Sequence, residues 1–232
     1  MEFSNALLKL VREKINFDLN SLVKNQKQFS HTIDELISFD NQLKSYLKTI
    51  IDVKQLEKNK PTIYTCLHII CENDLIFSQW LNLERQICLK KVDLIFTGLN
   101  TKSTISAIAS LNDLLMSEDS TNKKQASLFD EQTSEIWACN YSDVDSMKPP
   151  SCAESFVLMI KAITDRYANL PYPSRKLRFS YLQIELLKDF HLRLCQIIRD
   201  ESKTPFSKNY LGVLNTINYI IYILDEWKNS PV

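Results

Sequence analysis

Three groups of residues in this chain have types and spacings that chemistry could use. Cys66, His68 and Cys71 read Cys-x-His-x-x-Cys, thiol and imidazole groups of the kind that hold zinc. On a helix, positions 68 and 71 share a face while position 66 points elsewhere, and no second ligand pair follows. The set is read as buried structural cysteines. Nucleophilic catalysis would need a Ser or Cys brought together with a His and a carboxylate. Only three histidines exist, and His31 and His191 lie in charge-rich stretches with no nucleophile elbow or oxyanion loop. The carboxylate pairs Asp34-Glu35, Asp130-Glu131 and Asp200-Glu201 read as solvated helix faces or loop. No catalytic, cofactor or metal site is expected, and the chain is read as no enzyme.

The third group is the run ITDRYANLPYPSRKLRF, residues 163 to 179. Arg175-Lys176-x-Arg178 could hold a phosphate at a helix N-terminus, where free amides favour anions. Three cations without an aromatic platform are too few for nucleic-acid affinity. A structural reading fits better. Asp165 closes one helix and Arg175 opens the next, so each opposes the dipole of its own helix, and pairing across the turn would relieve both. Asp165, Arg166, Tyr167, Pro171, Arg175 and Lys176 are therefore expected to form an architectural corner.

The elements around these groups read as helices. The chain has 232 residues, enough for one large or two small cores, and 28 basic against 28 acidic side chains, so no net charge draws it to nucleic acid or an anionic membrane. It contains two glycines, too few for hairpins or phosphate loops, which points to an all-α fold. The six cysteines are scattered in apolar stretches and read as free thiols in a reducing cytosol. No signal peptide and no membrane-spanning run is expected.

Stripes at steps of three and four place a helix on Leu8, Val11, Ile15, Leu19 and Leu22, and another on Phe29, Ile33, Leu36, Leu43 and Leu47. The two read as a hairpin or one long bent helix, ended by a polar break from Lys54 to Pro61. A short helix follows around Leu67, then one capped near Asn73 and carrying Ile76, Trp80, Leu83 and Ile87. Ser151 with Glu154 suggests a capping box, and Ser174 a cap for the helix after the turn. That helix is expected to bury Leu177, Tyr181, Ile184, Leu187, Leu194 and Ile198. The last, opened by Pro205, is expected to bury Tyr210, Leu214, Ile217, Ile221, Leu224 and Trp227. Six to eight helices result: a bundle over 1–99, a polar insertion expected to be mobile over 100–135, and a second bundle over 136–232.

Several runs together carry a resemblance: Phe29-Ser30-His31 with Asp34-Glu35; Cys66-Leu67-His68, Trp80-Leu81 and Glu84-Arg85; Asp143-Val144-Asp145 with Met147-Lys148; Cys152-Ala153-Glu154-Ser155-Phe156; and above all Ile163 to Arg166 with Tyr167, Asn169-Leu170-Pro171 and Ser174 to Leu177. In this order they resemble the RINT/Tip family of vesicle-tethering subunits. The resemblance implies stacked helical bundles of a helical-rod, CATCHR-like tether, and a middle piece of a subunit of the Dsl complex, called NRZ in animals. It implies a non-enzymatic scaffold role in Golgi-to-endoplasmic-reticulum retrograde transport, cytoplasmic and peripheral on the endoplasmic reticulum membrane. The implied partners are other subunits of the tether and, through the full-length protein, endoplasmic reticulum SNARE proteins. An adaptor role toward a DNA-repair, checkpoint or autophagy protein is the alternative. Neither nucleic acid nor membrane insertion is implied.

Overall fold

The computed structural model describes residues 2–50, 65–97, 136–137 and 149–229. Within them the chain is all-α, with seven α-helices, one short 3-10 turn and no strand. The polar stretch 100–135 and the break from Lys54 to Pro61 lie outside the described residues.

Helices α1 (Glu2–Leu22) and α2 (Gln26–Ile50) are separate, so the single bent helix is set aside. Asn25 makes the division: its Oδ1 accepts from the Gln28 N–H at 3.3 Å, an N-cap that starts α2. The expected stripes are the buried ones, with Leu8, Ile15 and Leu19 on α1 and Phe29, Ile33, Leu36 and Leu43 on α2. Helix α3 (Leu67–Glu72) is buried along nearly its whole length. Helix α4 (Asp74–Phe96) is capped as expected, Asn73 Oδ1 accepting from the Leu75 and Ile76 N–H groups at 3.0 and 3.3 Å.

The later helices depart from the sequence reading at their starts. Helix α5 (Ser151–Ala168) opens on the Pro150 carbonyl, which accepts from the Ala153 and Glu154 N–H groups. Ser151 is itself the first helical residue, and its hydroxyl donates to the Ile136 carbonyl at 3.0 Å. Helix α6 (Pro173–Asp200) likewise opens on the Tyr172 carbonyl, with Pro173 in the first position and Ser174 already helical. Helix α7 (Lys208–Asn229) begins three residues after Pro205, where Ser207 Oγ accepts from the Tyr210 N–H at 3.1 Å.

Two apolar stripes compete on α6; of the set expected to be buried, Leu194 is buried and Leu187 and Ile198 are half-buried, but the rest lie on the outer stripe. Leu177, Tyr181 and Ile184 are exposed, while Phe179, Leu182, Leu186, Phe190 and Leu194 form the core side. Both stripes have helical period, so periodicity cannot rank them; the aromatic rings decide. Phe179 lies edge-on to Phe77 and Trp80 at 5.9 and 5.0 Å, and Phe190 stacks on Phe156 at 4.0 Å. Helix α7 is also turned over. It buries Gly212, Val213 and Thr216, whereas Leu214, Ile221, Leu224 and Trp227 are exposed. A small residue sets this contact: a Cβ on Gly212 would lie 2.6 Å from the Cβ of Trp137.

The chain forms two compact units, Met1–Arg85 with Asp165–Phe179, and Gln86–Thr164 with Ser180–Val232. The division therefore does not follow the bundles 1–99 and 136–232, because a 15-residue run from the later half, 165–179, belongs with the first unit. The first unit is centred on Trp80, Phe77 and Phe179. In the second, Phe96 and Phe156 both meet Phe190, and Arg193 pairs with Asp93 at 2.7 Å and Asp189 at 2.9 Å.

Candidate functional site

The candidate site is the run 165–179 within the first unit, where the end of α5, the turn and the start of α6 meet α2, α3 and α4. Arg166 is its centre. Its Nη1 donates to Asp34 Oδ1 of α2 at 2.5 Å, and its Nη2 lies 2.7 Å from Glu84 Oε1 of α4. The Glu84 side chain is 3% exposed and the Arg166 side chain 13%. Trp80 Nε1–H donates to the same Glu84 oxygen at 2.8 Å, one helical turn away. Burial works against the charge of the guanidinium, but the two carboxylates outweigh it and hold Arg166 above its ordinary value. Glu84 Oε2 and Arg166 Nε, both buried, have no hydrogen-bond partner among the described residues.

Arg175 takes a different partner from the one expected. Its Nη1 donates to Asp74 Oδ1 at 2.5 Å, its Nε donates to the Cys71 carbonyl at 2.9 Å, and its guanidinium lies 4.7 Å from the centre of the Phe77 ring. Arg178 joins the same carboxylate at 3.0 Å. Asp165 is exposed and has no ion pair among the described residues. The Asp165–Arg175 pair is thus not formed. Asp74 sits in the first turn of α4, where a carboxylate is favoured by the dipole, so Arg175 and Arg178 meet an acid already well placed. Their hydrogen bonds and charge lower the Asp74 pKa, the bond from Arg175 most of all.

The rest of the run is also engaged internally. Lys176 Nζ donates to the Ala168 carbonyl at 2.7 Å, a cation closing the C-terminus of α5. Tyr167 stacks on Phe179 at 5.7 Å, and half-buried Pro171 lies in the turn. Asn169 bonds Asn41 at 2.9 Å and Lys44 at 3.3 Å, both on α2.

The Cys66–His68–Cys71 set lies against the same unit without converging on one point. Buried Asp40 of α2 accepts from the Cys66 and Leu67 N–H groups at 2.8 and 3.1 Å, capping α3 from another helix. Burial, then the Asp40 charge, push the Cys66 thiol up to about 12; burial does the same for Cys71. His68 Nδ1 accepts from the Thr65 N–H at 3.1 Å, and its ring meets Tyr172 edge-on at 5.5 Å. Among the described residues no three His, Cys, Asp or Glu side chains could hold a metal ion together.

Asp34, Asp40, Asp74 and Glu84 are the residues that reading the charges alone missed, Asp34 being taken for a solvated helix face. A signal existed. Asp34, Trp80, Glu84 and Arg166 all stand in the runs that carry the family resemblance, and the fold brings these four together.

Fold and site together define an all-helical protein whose most distinctive polar cluster is directed inward, tying helices to one another. The chain belongs to the RINT-1/TIP-1 family, which it matches over residues 1–232. It is similar to a RINT1-like protein of Drosophila melanogaster, 26% identical over 227 residues that make up 98% of this chain and 25% of that protein. The chain thus spans about a quarter of the length of the relative it matches. No solved structure matches it. No helix among the described residues is long and apolar enough to cross a membrane.

Proposed function

We propose that this chain is a non-enzymatic scaffold piece of a multisubunit tether that captures vesicles in Golgi-to-endoplasmic-reticulum retrograde transport. It works at the cytoplasmic face of the endoplasmic reticulum as a peripheral component. Its partners are other subunits of the tether, and the full-length protein reaches SNARE proteins of that membrane. Family membership over residues 1–232 supports the setting. One observation carries the scaffold role: the cations of the run 163–179 are spent on the protein itself, Arg166 on Asp34 and Glu84, Arg175 and Arg178 on Asp74, and Lys176 on the Ala168 carbonyl. A tether segment transmits position, and the buried Arg166–Glu84 pair resists sliding between helices because any shift strands a desolvated charge.

The test is affinity capture with the full-length protein, intact or carrying Arg166→Met, from detergent-solubilised endoplasmic reticulum. Co-purification of tether subunits that weakens in the variant is expected. Capture of DNA-repair proteins with no tether subunit would overturn this reading in favour of an adaptor.

A further inference from the structure

One carboxylate gathers the connection between α6 and α7. A 3-10 turn, Glu201–Lys203, follows α6. Glu201 Oε2 accepts from the Thr204 hydroxyl at 3.1 Å and from the Ser207 hydroxyl at 2.7 Å, and its Oε1 accepts from Asn209 Nδ2, in the first turn of α7, at 2.9 Å. These bonds lower the Glu201 pKa, that from Asn209 most of all. Apolar burial adds nothing here. No residue from 201 to 207 is buried, and Phe206 is 87% exposed. Backbone bonds close the turn, from the Thr204 N–H to the Glu201 carbonyl and from the Ser207 N–H to the Thr204 carbonyl, both at 2.9 Å. A segment with so few buried contacts opens at low cost.

Within this connection Thr204 stands directly before Pro205. The chain has seven prolines, and only Pro205 and Pro231 follow a serine or threonine. Thr204 is exposed and has left the helical region, with φ −129° and ψ 68°, the direction in which a following proline pushes a residue. These are the features a proline-directed protein kinase needs: an accessible hydroxyl off the helix, followed by a residue with no backbone N–H to satisfy. In the transfer, the kinase's aspartate takes the hydroxyl proton and Thr204 Oγ1 bonds to the γ-phosphorus of ATP. The bond from that phosphorus to the bridging oxygen breaks, and ADP leaves. The phosphate carries a charge of about −1.5 to −2 at pH 7. It replaces the hydroxyl hydrogen that the Glu201 carboxylate accepts at 3.1 Å. An attraction becomes a repulsion, and Glu201 already stands just beyond the C-terminus of α6, the negative end of that helix. Driving the carboxylate away also breaks its bonds to Ser207 and Asn209.

We propose that Thr204 is a phosphorylation site for a proline-directed protein kinase, and that its phosphate opens the connection between α6 and α7 by displacing Glu201. The test is incubation of the purified chain with ATP and a cyclin-dependent or mitogen-activated protein kinase. Fragmentation mass spectrometry then places the phosphate, and hydrogen exchange reads the connection. Phosphate on Thr204 is expected, and it should be lost in Thr204→Val and also in Pro205→Ala, which keeps the hydroxyl. In the phosphorylated chain the amides of residues 201–210 should exchange about tenfold faster, the worth of one charge-assisted hydrogen bond at a surface. Unphosphorylated Glu201→Ala should reproduce that rise, and phosphorylating this variant should add little to it, since both changes act through the same carboxylate. No phosphate on Thr204, incorporation indifferent to Pro205→Ala, exchange over 201–210 that is unchanged or slower, or a full second rise on phosphorylating Glu201→Ala would each overturn the proposal.

Discussion

Replacing Arg166 by Met keeps the length of the side chain and removes its charge, which strands Glu84. That carboxylate is 3% exposed and would keep one hydrogen bond, from Trp80 at 2.8 Å. Breaking a buried ion pair by removing one partner costs about 3–5 kcal/mol, mainly because the other charge is left desolvated. Asp34, a quarter exposed, can be rehydrated, which moves the expectation to the lower end, about 3 kcal/mol. For a chain of this size that is a fall in Tm of about 6–12 °C. Urea unfolding of the wild type, Arg166→Met, Glu84→Met and the double variant separates the contributions. Arg166→Met with Glu84→Met should be more stable than Arg166→Met alone, since the stranded carboxylate is gone and a methionine pair packs in its place. A loss under about 1 kcal/mol for Arg166→Met, the range of exposed pairs, would refute this account. So would simple additivity in the cycle.

Asp165→Ala should change stability by less than about 0.5 kcal/mol and show no coupling to Arg175→Ala in thermal melting, because the two residues do not meet and Asp165 is exposed. Gly212→Ala should destabilise by about 1–3 kcal/mol in urea: the added Cβ would sit 2.6 Å from Trp137, and that overlap outweighs the roughly 1 kcal/mol gained in helix propensity. Cys66 and Cys71, raised from the ordinary 9.0 to about 12, should resist iodoacetamide in the native chain at pH 8 and react once urea unfolds it, as mass spectrometry can read. Because their folded values are raised, the associated stability is present in full below pH 9.0 and is lost as pH rises toward 12, so alkaline melting should fall across that window.

The helical character of this chain follows from its sequence. Two glycines and repeated 3.6-residue stripes favour helix over sheet, and the stripes read on α1, α2 and α4 are the faces that are buried among the described residues. Where one face is clearly more apolar than the others, local pattern and tertiary burial agree. The family, too, was legible, since its runs are sequence features. On α6 and α7 the pattern is apolar on more than one side, and the choice passed to tertiary contacts: Phe179 and Phe190 found aromatic partners, and Gly212 let Trp137 approach where a larger residue would have blocked it. The ion pairs show the same limit. Sequence proximity suggested Asp165 with Arg175, ten residues apart, but a helix end can satisfy its charges with any group the fold brings near. Arg175 meets Asp74 from 101 residues away and Arg166 meets Asp34 from 132. Charge type and helix position set which residues need a partner. Which partner they receive depends on where distant helices come to rest, and side-chain packing decides that after the local pattern has been used up.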